Sequence, residues 1–112
     1  MANVGEHTQG LKEAHSLVKK NRILKATLIY MELAEMGIST AQLNTGLLLD
    51  KYGVFDSFSS YLATDVIHHE KQQLPFDINK WLAFNHFKQA AEDLDTKDEA
   101  MLKLGDFYYY GF

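Results

Sequence analysis

The chain carries one residue pattern twice. Ala26, Tyr30, Leu33, Ala34 and Glu35 recur 57 positions later as Ala83, Phe87, Ala90, Ala91 and Glu92, and Ala41 and Gly46 recur 59 positions later as Ala100 and Gly105. Such a duplication constrains the fold more than any bulk property. Each copy must be one supersecondary unit that cannot cover its own apolar face and borrows a neighbour to do so. Apolar spacings of three and four make the units helical. The expectation is an all-α chain of antiparallel helix pairs stacked as a right-handed α-solenoid, an architecture that offers extended surfaces to partners.

With 112 residues, 46% of them apolar, the chain is a single domain's worth of sequence. Leu11, Ala14 and Val18 predict a leading helix over 8–20, with Lys19, Lys20 and Arg22 gathered where a helix C-terminus favours cations. Repeat one covers 22–53. Its helix A, 23–36, is stopped by Gly37, which accepts the left-handed conformation. Its helix B starts at Ser39, paired with Gln42 as a capping box, and runs to about Lys51 before Gly53. Residues 54–75, with Ser57, Ser59, Ser60 and the single proline Pro75, read as an insert. Phe58, Leu62, Val66 and His69 share one helical face there, so a short helix and a loop both stay open. Repeat two covers 76–112, with Asp77 capping a helix A from Ile78 to about Leu94 and a helix B that begins at Thr96 or Asp98 and reaches Tyr110. A mid-helix glycine costs ~1 kcal/mol relative to alanine. Its presence at matching places, Gly46 and Gly105, predicts a neighbour too close for a Cβ at both.

The second copy, AFNHFKQAAE followed by AMLKLGDFYYYG, resembles the Sel-1-like repeat, a relative of the tetratricopeptide repeat, with Leu104, Gly105, Tyr108 and Gly111 in consensus order. The first copy departs at Thr45 and Leu49, where the family favours leucine and tyrosine, and its Gly53 comes one place late. From Asn3 to Phe112, insert included, the chain also looks like the last repeats of the Sel-1 homologue adaptors of endoplasmic-reticulum-associated degradation. That resemblance implies a segment of a longer array in the endoplasmic reticulum lumen. It further implies polypeptide partners, namely a subunit of a membrane ubiquitin ligase and misfolded glycoproteins. A cytosolic Sel-1-like signalling scaffold and a small hydrolase remain as alternatives.

Charge and composition narrow the classes further. Eleven basic residues scattered among 15 acids, for a net charge of −4, argue against nucleic acid. No run approaches the ~20 apolar residues that cross a bilayer, and residues 1–10 lack the apolar core of a secretory signal. Direct membrane insertion is therefore not expected, and a complete chain would be cytoplasmic. The absence of cysteine excludes disulfides and thiolate metal sites.

Asp65, His68 and His69 have helical metal-ligand spacing, yet no fourth ligand accompanies them, and they read as a solvated face. His86 beside Asn85 reads as an exposed polar position, and His7 and His15 stand alone. Without a Gly-x-Ser-x-Gly elbow, a phosphate-binding glycine loop or a His-Glu-x-x-His helix, no catalytic residue, metal or cofactor is predicted, and the chain reads as a non-enzyme. The aromatic run is the remaining candidate. In one reading Tyr108 packs within its own repeat and Phe107 and Phe112 await the next repeat; in the other the run, with Phe107, Tyr109, Tyr110 and Phe112, is a recognition surface for a partner or for self-association through the C-terminal helix.

Overall fold

The structure, a computed structural model, describes residues 4–54 and 77–110. Five helices occupy them: α1 (Val4–Lys19), α2 (Ile23–Glu35), α3 (Ser39–Tyr52), α4 (Ile78–Ala90) and α5 (Lys97–Tyr110). No strand occurs among the described residues. Each helix packs on the next in chain order, including α3 on α4 across the insert, so the architecture is an all-α stack of helix pairs. The expected insert features, Asp65, His68 and His69 included, lie outside the described residues.

Two of the turns are built alike. After α1, Asn21 takes the left-handed conformation (φ 61°) while its N–H reaches Val18 O (3.0 Å) and the Arg22 N–H reaches Leu17 O (2.8 Å). After α2, Gly37 (φ 89°) does the same, with its N–H on Ala34 O (3.0 Å) and the Ile38 N–H on Leu33 O (3.2 Å). These paired bonds satisfy carbonyls that a helix C-terminus leaves orphaned. In each turn the second donor residue also opens the next helix, since Arg22 O accepts from Ala26 N and Ile38 O from Gln42 N. That economy displaces the expected capping box. Ile38, not a hydroxyl residue, holds the cap position of α3, and Gln42 Nε2 instead donates across the turn to Ala34 O (3.3 Å).

The third turn is different because no glycine or asparagine stands where α4 must stop. The helix ends at Ala90 rather than near Leu94, and tighter bonds follow, from Glu92 N to Gln89 O and from Asp93 N to Ala90 O. Asp93 Oδ1 then accepts from Asp95 N (2.9 Å), and the buried Thr96 hydroxyl donates to Ala90 O (2.6 Å). Thr96 O accepts from Ala100 N, so α5 starts behind Thr96, not at Asp98. The longer turn accounts for the change of repeat offset from 57 to 59. Asp77 caps α4 as expected from its type, accepting from Asn79 N at 2.9 Å.

The core has two parts that share α3. Ala14 and Leu17 from α1, Ala26, Tyr30, Leu33 and Ala34 from α2, and Ala41 and Leu48 from α3 form one. The other joins Leu43 and Leu49 of α3 to Val54, Ala83, Phe87 and Ala90, and to Ala100, Leu104 and Phe107 of α5. Because α3 is covered on two sides, its buried threonine Thr45 must satisfy itself locally, and its hydroxyl donates to Ala41 O (2.7 Å). No buried side-chain polar atom among the described residues lacks a partner.

Candidate protein-binding surface

The alanines of the repeat motif let helices approach closely. Ala26, Ala41, Ala83 and Ala100 are fully buried, Ala34 is buried, and Ala91 is half-buried. Tyr30 lies in the first core cluster, where burial pushes its phenol above the ordinary value and a hydrogen bond with Asn44 pulls the other way. Among the described residues Phe87 is the largest fully buried side chain, and it sits directly on Gly46: a Cβ there would lie 2.7 Å from Phe87 Cε1. The close neighbour at Gly46 is thus an aromatic ring of the following helix. The counterpart expectation at Gly105 is overturned, since a Cβ there meets nothing within 4 Å.

Two aromatic assignments also reverse. Phe107 is buried against Phe84 and Phe87, with ring centroids 5.8 and 5.9 Å away, and is not free for a partner. Tyr108, expected inside its repeat, is 75% exposed and meets the Phe84 ring edge to face at 5.8 Å. The reason is a rotation of about 100° between consecutive helical residues, so only one of the two can face α4. Tyr109 and Tyr110 are exposed and meet edge to face at 4.8 Å, whereas Gly111 and Phe112 lie outside the described residues.

What emerges on α5 is a bare apolar face of Met101, Leu102, Gly105, Tyr108 and Tyr109, all within roughly a third of the helix circumference. Residue-by-residue reading missed Met101 and Leu102. The repeat offset contains the signal, because it places Leu102 on Leu43 and Tyr108 on Leu49, both buried beneath α4 in repeat one. Exposed contiguous apolar surface of this kind marks interaction sites.

Elsewhere the surface offers small polar features. Lys80 Nζ pairs with Asp50 at 2.8 Å beside a cleft of about 140 Å³ that also involves Lys103 and Asp106. That volume is below what small-molecule pockets need. His86 is half-buried rather than exposed, its Nδ1 2.8 Å from Leu82 O, and since a carbonyl only accepts, the proton sits on that nitrogen. Among the described residues no group of three metal-ligating side chains occurs, and no helix is long and apolar enough to cross a membrane.

No family model and no solved structure matches the chain. A curated relative does: the ERAD-associated E3 ubiquitin-protein ligase component HRD3A of Arabidopsis thaliana is 34% identical over 94 residues, which is 82% of this chain. The chain spans only 12% of that protein's length. Duplicated motif, stacked helix pairs and this similarity agree, and the chain is a Sel-1-like repeat protein.

Proposed function

We propose that the chain is a protein–protein interaction scaffold that forms part of the substrate-recruiting adaptor of an endoplasmic-reticulum-associated degradation ubiquitin ligase complex. The observation that carries this reading is its 34% identity, over most of its own length, to a component of such a ligase. The geometry is in keeping with it: among the described residues, outward-facing apolar side chains gather on α5, while Leu28, Tyr52 and Trp81 are exposed on the other helices. In this reading the partners are polypeptides, a ligase subunit on one side and misfolded glycoproteins on the other, and the working compartment is the lumen of the endoplasmic reticulum. The chain contributes surface and no bond-making chemistry.

Immunoprecipitation of the tagged protein from cells, combined with protease protection of intact microsomes, tests the proposal. The expected result is a protected protein that brings down ligase subunits. A freely digested, cytosolic protein with no ligase subunit attached would replace this reading with the cytosolic scaffold.

A further inference from the structure

Charge is sorted between the two edges of the stack. Between Glu13 and Glu32 the chain has no acidic residue and four basic ones, Lys19, Lys20, Arg22 and Lys25, all exposed at the α1–α2 turn. Successive helices run antiparallel, so the end of α3 and the start of α4 share that edge, as the Asp50–Lys80 pair shows. Lys51 adds a further cation there, 5.2 Å from the centre of the Tyr52 ring. The opposite edge carries Glu35, Glu92, Asp93, Asp95, Asp98 and Glu99, all exposed, around Lys97. A helix of 13 residues, such as α2, holds the two edges roughly 20 Å apart.

Helix dipoles account for only half of the basic edge. The C-terminus of α1 favours Lys19 and Lys20. Arg22, however, holds the cap position of α2 and Lys25 lies in its first turn, where the dipole opposes cations and no acid offsets them. None of the four forms an ion pair among the described residues. A local rule broken in this way points to an anion outside the chain.

We propose that this edge rests on an anionic phospholipid surface, with its cations among the lipid headgroups and the helix axes upright on the bilayer. Tyr52 and Trp81, 43% and 46% exposed, stand at the same edge, and amphipathic rings of this kind settle at headgroup depth, whereas an acidic polypeptide calls for cations alone. The net charge of −4 does not oppose the contact, because at 0.1 M salt fields decay over about 10 Å, half the distance to the acidic edge. Turns are not stacking faces: repeats packed before α1 or after α5 would cover helix sides and leave this edge in place. The contact is peripheral and inserts no helix.

The test is flotation of the full chain with vesicles of phosphatidylcholine, alone or with about 30% phosphatidylserine, in about 0.1 M salt. Binding is expected with the mixed vesicles only, and it should be lost at about 1 M salt, where the screening length falls to about 3 Å. A lysine near an anionic surface is worth about fivefold in partitioning, so Lys20→Gln with Lys25→Gln should weaken binding roughly 25-fold. Lys88→Gln with Lys97→Gln removes the same charge from the far edge and should change binding less than about twofold, with helix content checked by circular dichroism in both pairs. No flotation with the mixed vesicles, equal binding to neutral ones, or equal losses in the two pairs would overturn the proposal. So would displacement by millimolar glycerophosphoserine, which would reduce the edge to a headgroup site, or capture of soluble polyglutamate without vesicle binding, which would assign it to an acidic polypeptide. Ligase capture is a separate measurement, so a failed flotation leaves the proposed assembly untouched.

Discussion

Helices α3 and α5 hold the same place in the two repeats, yet one is among the most enclosed elements of the molecule and the other is half naked. Leu43, Gly46 and Leu49 are buried, while their counterparts Leu102, Gly105 and Tyr108 are exposed. The positions that face the helix's own repeat do not differ: Leu48 and Phe107 are both buried, as are Thr45 and Leu104. The residue pattern therefore sets which side of a helix is apolar, and the neighbour decides whether that side is core or surface. In a stack each helix has one face satisfied by its own pair and one satisfied by the next, so identical motifs carry unequal energies.

The sharpest break of the comparison is at the Phe87–Gly46 contact. Phe87→Ala should cost about 3–5 kcal/mol in a denaturant titration, because the ring is fully buried and its loss opens a cavity against α3. Gly46→Val should cost about 2 kcal/mol or more through overpacking, and much of that penalty should vanish in the Phe87→Ala background. Additive effects at the two positions would mean the ring does not seat there.

Next comes the neighbouring pair on α5. Phe107→Ala should lose about 3 kcal/mol and Tyr108→Ala less than about 1 kcal/mol, since only the first empties a packed site. Comparable losses would show Tyr108 to be covered in solution.

At Gly105 the expected sign reverses relative to Gly46. With no neighbour within 4 Å, Gly105→Ala gains helix propensity and loses no packing, for about 0.5–1 kcal/mol of added stability. Destabilisation on thermal melting would place a partner against α5 in the free protein.

The smallest effect is alkaline. Tyr30 has a raised phenol pKa, chiefly from burial, with the Asn44 hydrogen bond opposing. Below about pH 10 the phenol is neutral in both folded and unfolded chains, so its contribution is intact. As pH rises further the unfolded chain ionises first, and stability falls through the folded value. Tyr30→Phe should flatten that limb of a stability–pH curve, and an unchanged limb would mean the phenol is solvated.

Much of this was legible from residue types alone. The duplication announced paired helices, Gly37 and Gly53 marked stops, and Asp77 marked a start. These features are local, depending on a backbone conformation or on a hydrogen bond within one turn. Asn21 was just as local but less conspicuous, because asparagine tolerates the left-handed region without being the usual choice for it. The misreadings cluster where two elements compete for one residue. Ile38 had to finish α2 and begin α3, which left Ser39 no capping work, and Thr96 spent its hydroxyl on the preceding helix.

The sequence by itself determined the helical class, the positions of the pairs, the small residues at their crossings and the relationship of the two halves, since all of these follow from periodicity and side-chain size. Only the tertiary structure decided which glycine holds a ring and which is open, and that Phe107 lies inside while Tyr108 lies outside. The physical reason is that burial belongs to a residue together with its neighbour. Gly46 and Gly105 are the same residue at the same point of the same motif, and the difference between them is the presence of Phe87.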